Sequence, residues 1–480
     1  MSREGADARR GGHDAALEAQ AREIYHEILR RTPEHDFDPT IERVRRVVDI
    51  LGSPQQSFRA IHLTGTNGKT STARMIDALL RELGLRVGRF TSPHLSSVRE
   101  RIAIDGEPIS AEAWVRTWED IAPYIAMVDG ELVSSGKYGA GGELSFFEVL
   151  TAMAFAAFAD APVDVAVLEV GMGGEWDSTN VVDAEVAVIS PVAMDHERWL
   201  GHALAEIAGV KSGIVKHGAT VVSAAQEDEV AVVIAERAAT VGARLVVEVT
   251  PVEDEDGTVV APGGAGLEVL SRTVAVGGQV VSLRGIGGIY EEIFVPLHGA
   301  HQAHNALLAV AAVEAFLGGV ALPGDVVEAA FAGVTSPGRL ELVRNSPTIL
   351  VDAAHNPAGA RATVEALTEA FAFDRLVGVF GVMGDKDVEG ILVELEGALA
   401  EIVVTHSSSL RSMELDDLAD LARDVFGEDR VHVVERLDEA LALAVDLAEN
   451  DADGVGVGSG VIALGSVVLA AEVRTLLGRS

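Results

Sequence analysis

Residues 60–83 read Ala60-Ile61-His62-Leu63-Thr64-Gly65-Thr66-Asn67-Gly68-Lys69-Thr70-Ser71-Thr72-Ala73-Arg74-Met75-Ile76-Asp77-Ala78-Leu79-Leu80-Arg81-Glu82-Leu83. The largely apolar run 60–63 predicts a strand, and from Ser71 onward the apolar positions recur at helical spacing. Between the two lies a glycine-rich turn. Backbone N–H groups can surround an anion only where side chains do not obstruct them, and a helix N-terminus adds its own attraction for negative charge. Gly65 and Gly68 meet that need. Lys69 can pair with β- and γ-phosphates, with Thr66 and Asn67 in the loop, and a hydroxyl at Thr70 or Ser71 can face phosphate or its magnesium. Leu63 stands where the strict pattern has its first glycine. A short G-x-x-G-K-T also occurs as a plain turn; its placement between strand and helix is what favours a phosphate loop.

Working outward, residues 41–51 read as a helix and 86–90 as a second strand that runs into Thr91-Ser92-Pro93-His94-Leu95. A helix over 147–158 precedes strands over 164–170 and 184–189. This alternation predicts an α/β fold with a mainly parallel sheet, whose ligands gather at the carboxyl ends of the strands. Residues 243–296, with short Val-rich runs and many glycines, predict a smaller antiparallel sheet. A helix over 303–316 follows, and then a linker at 334–338. Strand and helix patterns resume at 348–352, 360–371 and 376–380, a second, Rossmann-like α/β domain. The expected organisation is a loose tail over 1–20, a nucleotide-binding domain over 21–333, the linker, and a C-terminal domain over 339–480. No internal repeat is visible.

A chain of 480 residues with formal charge −37 lacks the basic surface that nucleic-acid binding needs. No stretch has the uninterrupted apolar length of a membrane span, and residues 1–20 have no apolar signal core. With no cysteine, disulfides, thiolate metal sites and a cysteine nucleophile are excluded, and a cytoplasmic protein is expected; the expected partners are small molecules and the expected state a monomer. Lysine occurs only at 69, 137, 211, 216 and 386. In a chain that otherwise uses arginine, a lysine can mark a need for a compact ammonium or a deprotonatable amine.

Several polar residues stand at strand ends. Glu169 closes an apolar run, so its carboxylate must be paired, hydrogen-bonded or metal-bound. His196 follows the next strand, where a capped histidine is the alternative to a ligand. Lys211 and Lys216 fit a solvated helix end equally well. In the second domain Asp352 and His355-Asn356-Pro357 fit turn chemistry as well as a site. Arg339, just after the linker, can clamp an anion between domains. The loop 381–387, Gly-Val-Met-Gly-Asp-Lys-Asp, is another polar strand end without an assigned role.

Together these motifs resemble the folylpolyglutamate synthase and dihydrofolate synthase family of the Mur ligase superfamily, from about residue 38 to the C-terminus. The blocks are T-G-T-N-G-K-T-S at Thr64, T-S-P-H-L at Thr91, L-E-V-G-M-G-G at Leu168, D-S-T-N at Asp177, M-D-H at Met194, K-S-G-I-V-K at Lys211, H-Q-A-H-N-A at His301, S-P-G-R-L-E at Ser336 and D-A-A-H-N-P at Asp352. The resemblance implies ATP on the loop 65–71, with Gln302, Asn305, Arg339 and Asp352 as further nucleotide contacts. It implies magnesium held by Ser92, Glu169, His196 and Lys211, the lysine being carbamylated. A carbamate forms only from a neutral amine, which arginine cannot supply. Dihydropteroate or a reduced folate would lie near Asp38, Pro39, Thr40, Ile41, Ser145, Phe146, Phe147, Glu148, Trp176, Asp177 and Ser178. Lys69, Glu169, His196, Lys211, Arg339 and His355 would serve the chemistry, in which L-glutamate is joined to a phosphorylated carboxylate.

Three positions depart from the family pattern: Glu175 replaces an arginine, Ala353 a glycine and Ser212 an alanine. Only the first removes a charge near an anionic substrate. A Mur-type peptidoglycan ligase is the alternative, but it would need a further domain before the loop, and 63 residues precede Thr64. A non-catalytic ATP-binding regulator is the third reading.

Overall fold

The computed structural model describes residues 3–33, 39–137, 142–249, 252–253, 259–260, 266–449 and 458–479. Helices α1 (Arg3–Ile28) and α2 (Glu42–Ile50) lead into β1 (Arg59–Thr64), α3 (Lys69–Glu82) and β2 (Val87–Phe90). Two short strands, β3 (Ile102–Ile104) and β4 (Glu107–Pro108), precede α4 (Ala111–Ser135), α5 (Phe146–Asp160), β5 (Val165–Glu169) and β6 (Val186–Ile189). Then come α6 (Glu197–Leu200), α7 (Leu204–Ser212), β7 (Thr220–Ser223), α8 (Asp228–Thr240) and β8 (Arg244–Val247).

These eight strands form one sheet in the order β4-β3-β2-β5-β1-β6-β7-β8, parallel except for the β2-β3-β4 edge. β1 lies between β5 and β6, which is why its sequence is apolar without alternation: both sheet faces are covered. On one face α3 packs with the later helices α9 (Ala300–Phe316) and α10 (Gly324–Ala332). On the other lie α1, α2, α4 and α5. The expected loose tail therefore ends earlier than residue 20, because Leu17 already packs into this core and Glu18 pairs with Arg99 at 3.0 Å.

The long helix α4 has no counterpart in the sequence reading. It starts at the Ser110 cap and buries Trp114, Trp118, Ile121, Ile125, Val128 and Leu132 at intervals of three and four residues.

Within 243–296 the expected antiparallel sheet is present, with one correction. After the two-residue strands β9 (Val252–Glu253) and β10 (Val259–Val260), strands β11 (Glu268–Ala275), β12 (Gly278–Arg284) and β13 (Ile289–Val295) make an antiparallel meander. The first strand of the region, β8, instead joins β7 in parallel, since the helix α8 between them is a crossover and not a hairpin.

The second sheet runs β14 (Glu341–Asn345), β15 (Thr348–Val351), β19 (Ser459–Leu464), β16 (Arg375–Phe380), β17 (Glu401–Val404), β18 (Val431–Val433). All its pairs are parallel except β14-β15. Helices α11 (Pro357–Ala370), α12 (Val388–Glu396) and α13 (Leu415–Phe426) belong to the core on one face, and α14 (Leu437–Glu449) and α15 (Val467–Leu476) to the core on the other. The carboxyl ends of β1, β5, β6 and β15 converge on one interdomain cavity.

Candidate active site

The loop between β1 and α3 needs its glycines. Gly68 sits at φ 88° and Gly65 at φ 139°, and a Cβ on either would collide, with Asn305 Oδ1 and Ser190 Oγ respectively. The loop, Lys69, Thr70, Ser71, Ser92, Glu169, His196, Lys211, Gln302, Asn305, Arg339, Asp352 and His355 all line a cavity of about 480 Å³. Residues scattered over some 290 positions of sequence thus share one space.

The bonds within it divide the labour. Lys69 Nζ donates to the carbonyls of Gly65 and Thr66, each at 3.0 Å, and Lys211 Nζ donates to Gly65 O at 2.7 Å. Thr70 Oγ1 donates to Glu169 at 2.9 Å, and Ser92 N reaches the same carboxylate at 3.4 Å. Ser71 Oγ instead meets Ser336 Oγ of the linker at 2.8 Å, so it joins the loop to the second domain. Thr72 Oγ1 donates to Asn305 Oδ1, and Asn305 Nδ2 to Gln302 Oε1. Asp352 accepts from Leu340 N at 2.6 Å and Ala354 N at 2.7 Å, holding the backbone on either side of Arg339 and His355.

Burial dominates the electrostatics. It raises the Glu169 carboxyl above the usual range, against the opposing charge of Lys69. It lowers Lys69, and it brings Lys211 down to about 7, with the neighbouring Lys69 charge acting in the same direction. Burial also lowers His196 to about 3, so that imidazole is neutral. Burial alone would raise Asp195. The nearby His355 and Lys386 outweigh that and hold its carboxyl well below its ordinary value.

Asp195, Lys386 and Asn356 are site residues that the sequence did not single out as such. Lys386 Nζ lies 2.6 Å from Asp195 Oδ1, across the domain interface, with both side chains 8% exposed. His355 Nδ1 donates to Ala353 O at 2.8 Å and Nε2 lies 3.7 Å from Asp195. Asn356 meets Asn67 at 3.2 Å. Lysine scarcity and the D-K-D and M-D-H strings were the available signals. The pair His304 and Glu248, also at this cavity, was missed as well; Glu248 raises the His304 pKa through their hydrogen bond.

A larger neighbouring cavity, about 1290 Å³, is lined by Thr40, Ser145, Phe146, Phe147, Glu148, Trp176, Asp177 and Ser178. Pro39 and Ile41 are not part of this lining, Ile41 packing instead against the α1-α5 core, and Asp38 lies outside the described residues. Phe147 packs on Phe90, ring centroids 5.5 Å apart. Ser145 and Glu148 form a reciprocal cap at the start of α5, and Glu148 also meets buried Arg43 at 3.0 Å. Asp177 accepts from the backbone of Gly171, Met172 and Thr179, which fixes the loop that carries Trp176. Glu175 is exposed and lines neither cavity, so the charge lost there lies outside both.

A glycine-rich strand-to-helix loop sharing a cavity with Arg339 of a second Rossmann-like domain, with a larger cavity alongside, fits an ATP-dependent ligase of the Mur type. Residues 136–313 match the model of the Mur ligase middle domain, and residues 338–460 that of the Mur ligase glutamate ligase domain. The chain is 49% identical over 466 residues to the dihydrofolate synthase/folylpolyglutamate synthase of Mycobacterium tuberculosis, covering 95% of this chain and 94% of that one. Among solved structures, the Mycobacterium tuberculosis folylpolyglutamate synthase complexed with ADP superposes with a TM-score of 0.88 at 47% identity, covering 97% and 99% of the two chains. An FPGS-AMPPCP-folate complex superposes at 0.78 and 29% identity, covering 94% and 99%. The chain belongs to the dihydrofolate synthase/folylpolyglutamate synthase family.

Proposed function

We propose that this protein joins L-glutamate to dihydropteroate and to reduced folates, using ATP, as a cytoplasmic monomer. The single observation that carries the reading is the adjacency of the two cavities: the nucleotide cavity and the larger one share Ser92, His196 and His355 on their common border. An acceptor carboxylate at that border meets the terminal phosphate of ATP. Its oxygen forms a bond to the γ-phosphorus as the bond to the ADP oxygen breaks, giving an acyl phosphate. The glutamate amine then attacks the acyl carbon, the C–N bond forms, the C–O bond breaks and inorganic phosphate leaves.

The residues divide these tasks by position. Backbone N–H groups of 65–70 and Lys69 hold the phosphates, while Arg339 reaches them from the second domain and balances the charge of the transferring group. His355 is committed as a donor at Nδ1, which leaves Nε2 to take the proton that the amine loses. Closure of the domains around these groups excludes the water that would hydrolyse the acyl phosphate.

The donor set fits Mg²⁺. Glu169 is a buried carboxylate whose charge burial disfavours, His196 is neutral, Thr70 brings its hydroxyl oxygen to the same carboxylate, and Ser92, whose backbone N–H reaches it, lines the same cavity. When bound, the ion would neutralise phosphate charge. Lys211 fits carbamylation, since a lysine with its pKa brought down to about 7 has the neutral amine available near neutrality. The test is ADP release in magnesium and bicarbonate. It should require both glutamate and a pterin acceptor, with dihydropteroate and tetrahydrofolate assayed separately; no turnover with any pterin would overturn the proposal.

A further inference from the structure

A third cavity, about 720 Å³, opens at the domain interface between residues 193–199 of the first domain and residues 355–361 and 384–387 of the second. Met172, His196 and His355 border this cavity, the nucleotide cavity and the acceptor cavity alike, so the three spaces meet at the reaction centre. Two of them account for ATP and the acceptor. The reaction also takes in one small anion and releases another, and neither has been given a route.

The charge lining the third cavity is unusual for this chain. Arg198, Arg361, Lys386 and Arg411 balance Asp195, Glu197, Asp385 and Asp387 one for one, whereas the chain as a whole has 74 acidic and 37 basic residues. A small anion approaching so acidic a surface is repelled except where cations gather. Three of the four are already committed: Arg361 to Glu394 at 2.6 Å, Arg411 to Asp385 at 2.8 Å and Lys386 to Asp195 at 2.6 Å. Arg198 makes no ion pair among the described residues; its guanidinium lies over the Trp199 ring, 4.9 Å from the centroid. It is exposed and its charge is available.

We infer that this cavity is the passage for small anions to and from the junction, L-glutamate entering or inorganic phosphate leaving, and that Arg198 is the cation that meets them. The inference rests on the proposed ligase reading. Both anions present two or more negative oxygens and compete for the same cation, so the experiment must separate them.

In the full-length protein, Arg198→Glu reverses the charge and Arg198→Lys preserves it. If glutamate enters here, Arg198→Glu raises KM for glutamate by about fivefold or more while KM for ATP and for dihydropteroate stays within about twofold. If phosphate leaves here, stopped-flow detection with a fluorescent phosphate sensor shows release slowed by about fivefold after an unchanged burst of ADP. Arg198→Lys should restore either to within about twofold. Equal rises in all three KM values, or no change in KM and phosphate release, would overturn the passage. Calorimetric titration of glutamate and of inorganic phosphate into the ADP-loaded protein separates failure of the passage from failure of the ligase reading. If unaltered protein shows no glutamate-dependent turnover, yet Arg198→Glu weakens binding of either anion, the ligase reading falls and the anion passage stands. Absence of both effects rejects both.

Discussion

At Lys211 an amine that is 5% exposed donates to a loop carbonyl, and burial with a neighbouring lysine brings its pKa down to about 7. Arginine retains its charge under the same pressure and cannot form a carbamate. Lys211→Arg should therefore lower glutamate-dependent turnover on the order of 10²-fold or more, with the melting temperature little changed; retained turnover would sink the carbamate assignment. His304 offers a different kind of test, because its pKa is raised by the hydrogen bond it donates to Glu248. The folded state then binds the proton more tightly than the unfolded state. The pair's stabilisation is fully present below the ordinary value of 6.5 and is lost as pH rises through the higher folded value. Thermal melts of wild type and His304→Ala should differ most at about pH 5.5 and converge at high pH; a pH-independent difference would show that the ion pair contributes nothing.

The β1-α3 turn was legible in sequence because its composition admits few other structures, while its boundary was not. The helix begins at Lys69, two residues before Ser71, since Gly68 at φ 88° makes the break and frees the lysine to start the first turn. Helix α11 likewise starts at Pro357, three residues before 360, with Asn356 accepting from Gly359 N as its cap; Asn-Pro was the readable sign. In α5 the string Ser145-x-x-Glu148 is a reciprocal cap first and a cavity lining second, which pattern reading of a substrate pocket passes over. The contacts that assemble the site were hidden for another reason. Asp195 with Lys386 and Asn67 with Asn356 are separated by 191 and 289 positions, and only the packing of two domains brings them together. A prediction belongs to the loop itself: in Gly68→Ala the left-handed φ costs about 1–2 kcal/mol and the new methyl strikes Asn305. Calorimetry should show nucleotide affinity falling by about tenfold; wild-type affinity would mean the loop reshapes without harm.

Across the whole molecule, a chain with net charge −37 repels itself, and the two domains must be held together against that repulsion. Among the described residues, polar ties around the active site include Ser71 to Ser336, Asn67 to Asn356 and Lys386 to Asp195. A further pair, Arg272 with Glu369, links β11 to α11 at a distance from the chemistry. Of the two ion pairs, Lys386–Asp195 is the more buried, with both side chains 8% exposed, so losing one partner leaves a poorly solvated charge behind. Lys386→Met removes the ammonium but keeps the aliphatic stem, so Asp195 faces His196, His355 and Asn356 with no full cation. Breaking a buried pair from one side costs about 3–5 kcal/mol, because the remaining charge is uncompensated. Adding Asp195→Asn to that variant removes the orphan charge and should recover part of the loss, although the amide forfeits its contacts with the two imidazoles. The expected order of stability in denaturant is wild type, then the double variant, then Lys386→Met. Hydrogen exchange should locate the loss in residues 381–387 and at the start of α11, and not in the core strands β1 and β16. If Lys386→Met and the double variant unfold at the same denaturant concentration, the pair is not what docks the domains, and the hydrogen bonds at Asn356 and Ser336 carry that role.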